Sequence, residues 1–312
     1  MDLSLIVPVY NEEKNLPELC HELEEVVHSL RLQSEFIFVD DGSTDGSFRI
    51  LKQRHDERAD TRVIRFGRNF GQTAAIAAGF DSARGDIVVT LDADLQNDPR
   101  DLPALIQKIR EGFDLVSGWR RVRRDPFLTR RLPSRIANGL ISWVTGVHLH
   151  DYGCTLKAFR REVVKNLHLY GEMHRFIPAI ASERGVAIAE VEVHHRPRLH
   201  GESKYGMLRT FKVILDLLTV RFLLTYATRP LQIFGLVGLL SAGIGFLIGG
   251  YLSFAKYFFG ISLANRPLLL LAILLIFMGL QFVSMGLLGE MLARTYHESQ
   301  GKPIYVVREI LD

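Results

Sequence analysis

Across residues 231–289, Lys256 and Arg266 are the only Asp, Glu, Lys or Arg side chains, and Glu290 follows directly. A segment so poor in charge constrains the fold strongly, because it implies a change of solvent. Residues 231–254 and 267–288 each offer roughly 20 mostly apolar positions, enough to cross the hydrocarbon of a bilayer. Both are rich in glycine, with Gly235, Gly238, Gly243, Gly245, Gly249 and Gly250 in the first and Gly279 and Gly286 in the second. Small residues let such helices pack closely in lipid. The short stretch 255–266 joins them, so a transmembrane hairpin over 231–289 is expected, with a buried hairpin of a water-soluble fold as the plainer alternative. Arg221, Arg229, Arg294, Lys302 and Arg308 flank its outer ends, and the positive-inside bias places both flanks in the cytoplasm. Residues 207–230 read as amphipathic helix. Arg209, Lys212, Asp216 and Arg221 suit the interface better than a span, although an ordinary surface helix has the same pattern.

The first 206 residues have ordinary charge density and a different rhythm. Strand-like runs at Leu3–Val9, Glu35–Val39, Arg62–Phe66, Asp86–Leu91 and Phe113–Ser117 alternate with helix-like segments, the first from about Glu12 to Leu30. That alternation predicts an α/β fold with a doubly wound, mostly parallel sheet. Ligands bind beyond the carboxyl ends of such strands, where the polar clusters Tyr10–Glu13, Asp40–Asp45 and Asp92–Asp98 fall. A later strand-like patch, Val186–His195, leads into the loop from Arg196 to Gly206. The tail, 290–312, ends in a strand-like stretch at Ile304–Val307, which could pair with the first domain or with a neighbouring subunit in a homo-oligomer such as a tetramer. The net charge of +3 gives no reason to expect a nucleic-acid partner. Cys20 and Cys154 lack metal-type spacing and suit free thiols in a reducing compartment. The N-terminal apolar run lacks a basic flank and is too short for a signal peptide.

Asp92-Ala93-Asp94 is the sharpest chemical feature. Two carboxylates two residues apart at a strand end can share a hard cation, and Gln96, one alternation further, could add an oxygen. Alone, such a triplet is more often a solvated turn. Here it follows the apolar run Ile87–Leu91 and has company in Asp40-Asp41-Gly42-Ser43-Thr44-Asp45. Helix capping accounts for Ser43 and Asp45 but not for the two adjacent carboxylates before them.

Together with Pro8–Glu13, Arg68–Gln72 and Asp92–Gln96, these residues resemble the GT-A glycosyltransferases of family two. Asp151–Cys154, His174–Pro178, Arg198–Tyr205 and Met285–Glu290 are similar to the polyprenyl-phosphate branch of that family. The branch includes dolichol-phosphate mannose synthases, undecaprenyl-phosphate glucosyltransferases and the aminoarabinose-lipid transferase. The resemblance spans essentially the whole chain. It implies a cytoplasmic GT-A catalytic domain over 1–206, anchored to a bacterial inner membrane by the interfacial segment and the hairpin. It implies transfer, with inversion, of one sugar from a nucleotide-sugar to a polyprenyl phosphate, UDP-sugars being favoured over GDP-mannose. Pro8, Tyr10, Glu12 and Asp41 would line the nucleoside pocket. Asp92 and Asp94, with Gln96, would meet the diphosphate and a Mg2+ or Mn2+ ion. Asp151 would sit near the acceptor as base or positioning group, and Arg120, Arg131, Ser134, Arg198 and Lys204 would grip phosphates. The histidine of the His174–Pro178 stretch is expected to be structural.

A lipid phosphate is already anionic near neutral pH, since its second pKa lies at about 6, so it needs orientation more than deprotonation. Arginine suits that task. Arg121, Arg123 and Arg124 read instead as headgroup contacts, and His194 and His195 as surface residues. A processive polysaccharide synthase would be expected to carry a Gln-x-x-Arg-Trp motif and further spans, neither of which is visible here. A non-catalytic membrane adaptor would be expected to have lost Asp92 and Asp94.

Overall fold

The computed structural model describes residues 1–121, 138–139, 141–142, 145–167, 169, 171, 173–182, 184–197 and 304–312, with isolated positions between 257 and 295. The chain divides into two compact units, Met1–Leu217 with Lys302–Asp312, and Leu218–Gly301. The interfacial segment 207–230 and nearly all of the hairpin region lie outside the described residues. Among the described residues no helix is long and apolar enough to cross a membrane.

The first unit is built on an eight-stranded sheet. Strands β1 (Leu3–Val9), β2 (Ser34–Asp40), β3 (Thr61–Phe66), β4 (Ile87–Thr90), β5 (Leu115–Trp119), β6 (Lys157–Arg160), β7 (Ile188–Glu192) and β8 (Val307–Leu311) lie in the order β7-β5-β6-β4-β1-β2-β3-β8. The expected α/β alternation holds, but the sheet is mixed. β1–β2, β1–β4, β2–β3 and β5–β7 are parallel, while β6 runs antiparallel between β4 and β5, and β8 runs antiparallel along β3. Insertion of β6 reverses the chain so that residues before it reach the same end of the sheet as the carboxyl ends of β1, β2 and β4.

Helices α1 (Leu16–Leu30), α2 (Ser47–Glu57), α3 (Gln72–Ser82), α4 (Leu102–Arg110), α5 (Arg161–Lys165) and α6 (Ile177–Ser182) cover the sheet. In α1 the buried set Leu16, Leu19, Cys20, Leu23, Val26 and Val27 forms one stripe, the spacing of a helix with a single core face. It packs with α4 on the face carrying Leu3, Leu5, Val7 and Val9. On the opposite face α3 lies so close that a Cβ on Gly79 would stand 2.3 Å from Ile6 Cγ2. Only glycine permits that approach.

The expected helix from Glu12 begins instead at Leu16. Asn11 is left-handed (φ 56°), and the Glu12 and Glu13 amides donate to Ser47 Oγ and Asp45 Oδ2 at 2.9 and 3.2 Å. Side-chain acceptors thus hold 11–13 out of the helix, and Pro17 fits its first turn. The tail strand sits later than expected, at Val307–Leu311, with Val63 opposite Leu311 and Phe66 opposite Val307. It pairs with the first domain of its own chain.

Candidate active site

Three loops meet at one end of the sheet because their strands are in register there. Val9 lies opposite Asp40 and Ile6 opposite Thr90, so the residues after β1, β2 and β4 emerge side by side. Pro8, within β1, and Tyr10 and Glu12, just after it, are half-buried. Glu12 accepts from Asn15 Nδ2 at 2.6 Å, an interaction within its own turn.

Asp41 is almost fully buried and braces the loop after β3. Its two carboxylate oxygens accept from the Phe70 and Gly71 amides at 2.7 and 3.0 Å. Burial pushes its pKa up to about 6; the two amide bonds oppose that shift, and the Asp40 charge adds to it. Gly42 permits the fit. Its φ is +70°, and a Cβ there would lie 2.5 Å from the Arg68 carbonyl carbon. Ser43 accepts from the Asn11 amide at 3.0 Å. It therefore ties two loops together, where the sequence suggested helix capping. Asp45 accepts from the Ser47 amide at 2.9 Å at the start of α2, as a capping side chain does.

The acidic pair follows β4. Regular strand ends at Thr90, and Leu95 is left-handed (φ 59°) with its side chain fully buried. Residues 92–96 therefore form a turn, and strand alternation does not carry on to Gln96 as expected. The Gln96 amide instead donates to Asp94 Oδ1 at 3.2 Å. Asp92 Oδ1 accepts from Gln72 Nε2 at 2.6 Å, and its Oδ2 accepts from the Thr155 hydroxyl. Burial raises the Asp92 pKa, and the neighbouring Asp94 charge raises it further. Two mutually repelling carboxylates braced by neutral donors suit a hard divalent cation, which relieves the repulsion. Among the described residues no group of three or more His, Cys, Asp or Glu could hold a metal. The protein would thus supply Asp92 and Asp94, and Gln96, water or diphosphate oxygens would complete the shell.

Beside this pair lies a buried ionic cluster. Arg120, just beyond β5, donates from Nε to Asp151 Oδ2 at 2.7 Å and from Nη2 to Asp151 Oδ1 at 2.9 Å. The Gly153 amide also donates to Asp151, at 3.1 Å. Burial works against the Arg120 charge, but the Asp151 carboxylate outweighs it and holds the guanidinium firmly protonated. Arg120 also favours the ionised form of Asp92. Lys157, buried in β6, donates to the Cys154 carbonyl, and burial lowers its pKa. Cys20 and Cys154 are both free and buried.

The structure thus gathers Tyr10, Asp41, Asp92, Asp94, Gln96, Arg120 and Asp151 at one end of the sheet. Arg131, Ser134, Arg198 and Lys204 lie outside the described residues. His174 is buried and meets Thr73 Oγ1 through Nδ1 at 2.8 Å. His194 is largely exposed and bonded to Asp101 at 2.8 Å. Sequence reasoning gave no role to Gln72, Thr155, Lys157 or Arg196. Lys157 carries a signal, being a lone charge within the apolar run Leu156–Phe159. Arg196 joins Glu22 at 2.7 Å and Asp98 at 2.7 Å, while its amide donates to the Gln96 carbonyl at 2.9 Å. It ties the chain at Arg196 to the acidic turn.

Comparison with known proteins agrees with this geometry. Residues 4–167 match the model of glycosyl transferase family 2. The chain is 44% identical to dodecaprenyl-phosphate galacturonate synthase of Rhizobium johnstonii, covering 100% of this chain and 94% of that one. It is 41% identical to undecaprenyl-phosphate 4-deoxy-4-formamido-L-arabinose transferase of Shewanella sediminis, covering 99% and 92%. The fold is similar to that of glucosyl-3-phosphoglycerate synthase from Mycobacterium tuberculosis, solved with Mn2+, UDP and phosphoglyceric acid. The TM-score is 0.53 at 22% identity, over 70% of this chain and 78% of that one. With a GT-A-like mixed sheet, an acidic turn beyond β4 and full-length relatives of this kind, the chain belongs to glycosyl transferase family 2, on the branch of the polyprenyl-phosphate sugar transferases.

Proposed function

We propose that this enzyme moves a single sugar from a nucleoside-diphosphate sugar, UDP-linked by preference, onto a polyprenyl phosphate with inversion at the anomeric carbon. The observation that carries this reading is the Asp92–Asp94 pair with Arg120 beside it at the mouth of β1, β2 and β4. Tyr10, Pro8, Glu12 and Asp41 border the nucleoside, the last by shaping the 68–71 turn. Asp92, Asp94 and Gln96 would hold a divalent ion, Mg2+ or Mn2+, which would supply charge neutralisation at a diphosphate. Gln72 and Thr155 fix the Asp92 carboxylate. Asp151 has both oxygens committed to Arg120, which favours a positioning role over that of a base. Arg120 then presents a fixed positive charge to a phosphate, and Arg131, Ser134, Arg198 and Lys204 complete that grip. Residues 207–230 and the hairpin 231–289 hold the site at the bilayer, with the 1–206 domain and the 290–312 tail on the cytoplasmic side.

A donor screen tests this. UDP-galacturonate, a UDP-linked formamido-arabinose, UDP-glucose, UDP-N-acetylglucosamine and GDP-mannose are each incubated with a short polyprenyl phosphate and Mn2+. One donor is expected to give a lipid-extractable product carrying one sugar, and Asp94→Asn is expected to lower its turnover about 10²–10³-fold. A polymeric product, or full turnover by Asp94→Asn, would overturn the reading.

A further inference from the structure

The loop 67–71, between β3 and α3, is held from two sides. On one side Asp41 takes the Phe70 and Gly71 amides. On the other lies the C-terminal tail. The Tyr305 ring stacks on Phe66 with centroids 5.0 Å apart and planes 17° from parallel. Phe66 in turn meets Phe70 edge-on at 5.7 Å. The Tyr305 hydroxyl donates to Asp81 Oδ2 at 2.7 Å, and the Gly67 amide donates to the Val306 carbonyl at 3.1 Å. Tyr305 therefore touches both elements that flank the loop, at the end of β3 and at the last turn of α3. The first residue of α3 is Gln72, whose amide braces Asp92.

We infer that Tyr305 is a positioning residue of the donor site, acting through its ring on Phe66 and Phe70 to fix the turn that delivers Gln72 to Asp92. This rests on the reading of Asp92 and Asp94 as the diphosphate end of that site. Phe66 is nearly fully buried, so removing the tyrosine ring uncovers it, and the loop gains freedom, held only by Asp41 and the Gly67–Val306 backbone bond. An aromatic pair adds to simple burial through its geometry, which an aliphatic side chain does not reproduce. The tail lies some 230 positions from the loop in sequence, so no local pattern reveals the link.

The experiment uses the full chain in detergent or nanodiscs. Tyr305→Ala is expected to speed deuterium uptake in the peptide covering 66–72 by about ten-fold and to raise KM for the donor found in the screen about five-fold, with kcat changed less than two-fold. Tyr305→Phe keeps the ring and is expected to restore both values to within about two-fold of wild type. Tyr305→Leu, which keeps bulk without a stacking face, follows Tyr305→Ala in direction and guards against loss of the whole tail. Ile310→Ala, an exposed position on β8 in the same tail, leaves both readouts unchanged. Unaltered exchange in 66–72, unaltered donor KM, or Tyr305→Phe as damaging as Tyr305→Ala would each overturn the inference. Failure of the donor-site reading looks different, because Asp94→Asn would then keep its turnover whatever Tyr305→Ala does.

Discussion

Asp41 carries a cost that its position explains. Its carboxyl is raised to about 6 in the fold against an ordinary 3.8, so between those values the native state binds more protons than the unfolded chain. The stability it contributes is therefore greatest below about pH 4 and is lost as pH rises through 6. Wild type should gain stability relative to Asp41→Asn as pH falls from 7 to 4, measured by thermal unfolding at several pH values. Activity should follow the opposite course, since protonation removes an acceptor from the Phe70 and Gly71 amides. The Arg120–Asp151 pair makes a second prediction. Asp151→Asn leaves a buried guanidinium without its counter-charge and should cost about 3 kcal/mol. The double variant Arg120→Met/Asp151→Leu should recover much of that stability while remaining inactive, which separates packing from phosphate handling. At this scale the gathering of Asp41, Asp92 and Asp94 at one end of the sheet was legible in the sequence, because each follows a strand-like apolar run. Gln72 and Thr155 were not, since neutral side chains reveal their part only when the fold sets them against Asp92.

The sheet–helix layering rests on a few close approaches. Gly79→Val would force a side chain into Ile6 and should destabilise the domain by about 2 kcal/mol, read as a lower unfolding midpoint with the donor site otherwise intact. Strands β1 to β4 were legible because each is a short apolar run bounded by polar turns, and the parallel core follows from the helices between them. The antiparallel β6 was not. Lys157–Arg160 is brief and carries a charge at each end, and its place between β4 and β5 is fixed by the sheet rather than by local pattern. The start of α1 was misplaced for a related reason, as distant acceptors on Ser47 and Asp45 decide where the helix begins.

Over the whole molecule, β8 covers the free edge of β3 and brings Asp312 to Arg62 at 2.5 Å and to Arg84 at 3.2 Å. Deleting residues 304–312 should bare that edge and its unpaired backbone groups. The shortened protein is expected to self-associate, seen as higher-mass species by light scattering at a concentration where the full chain gives none. The charge-poor segment and the strand-bearing tail were both legible as separate features. What the sequence could not convey is that the strand after residues 231–289 comes back to finish the sheet of the first unit.

That return sets an order of events during synthesis. Val63 waits for Leu311, some 250 positions downstream, so the ribosome must make the entire apolar stretch before the last strand exists. Contacts so remote form late, and a nascent chain exposes its unfinished edge in the interval. A chain stalled between the apolar stretch and the last strand thus carries an open edge on β3 that invites capture by quality-control factors.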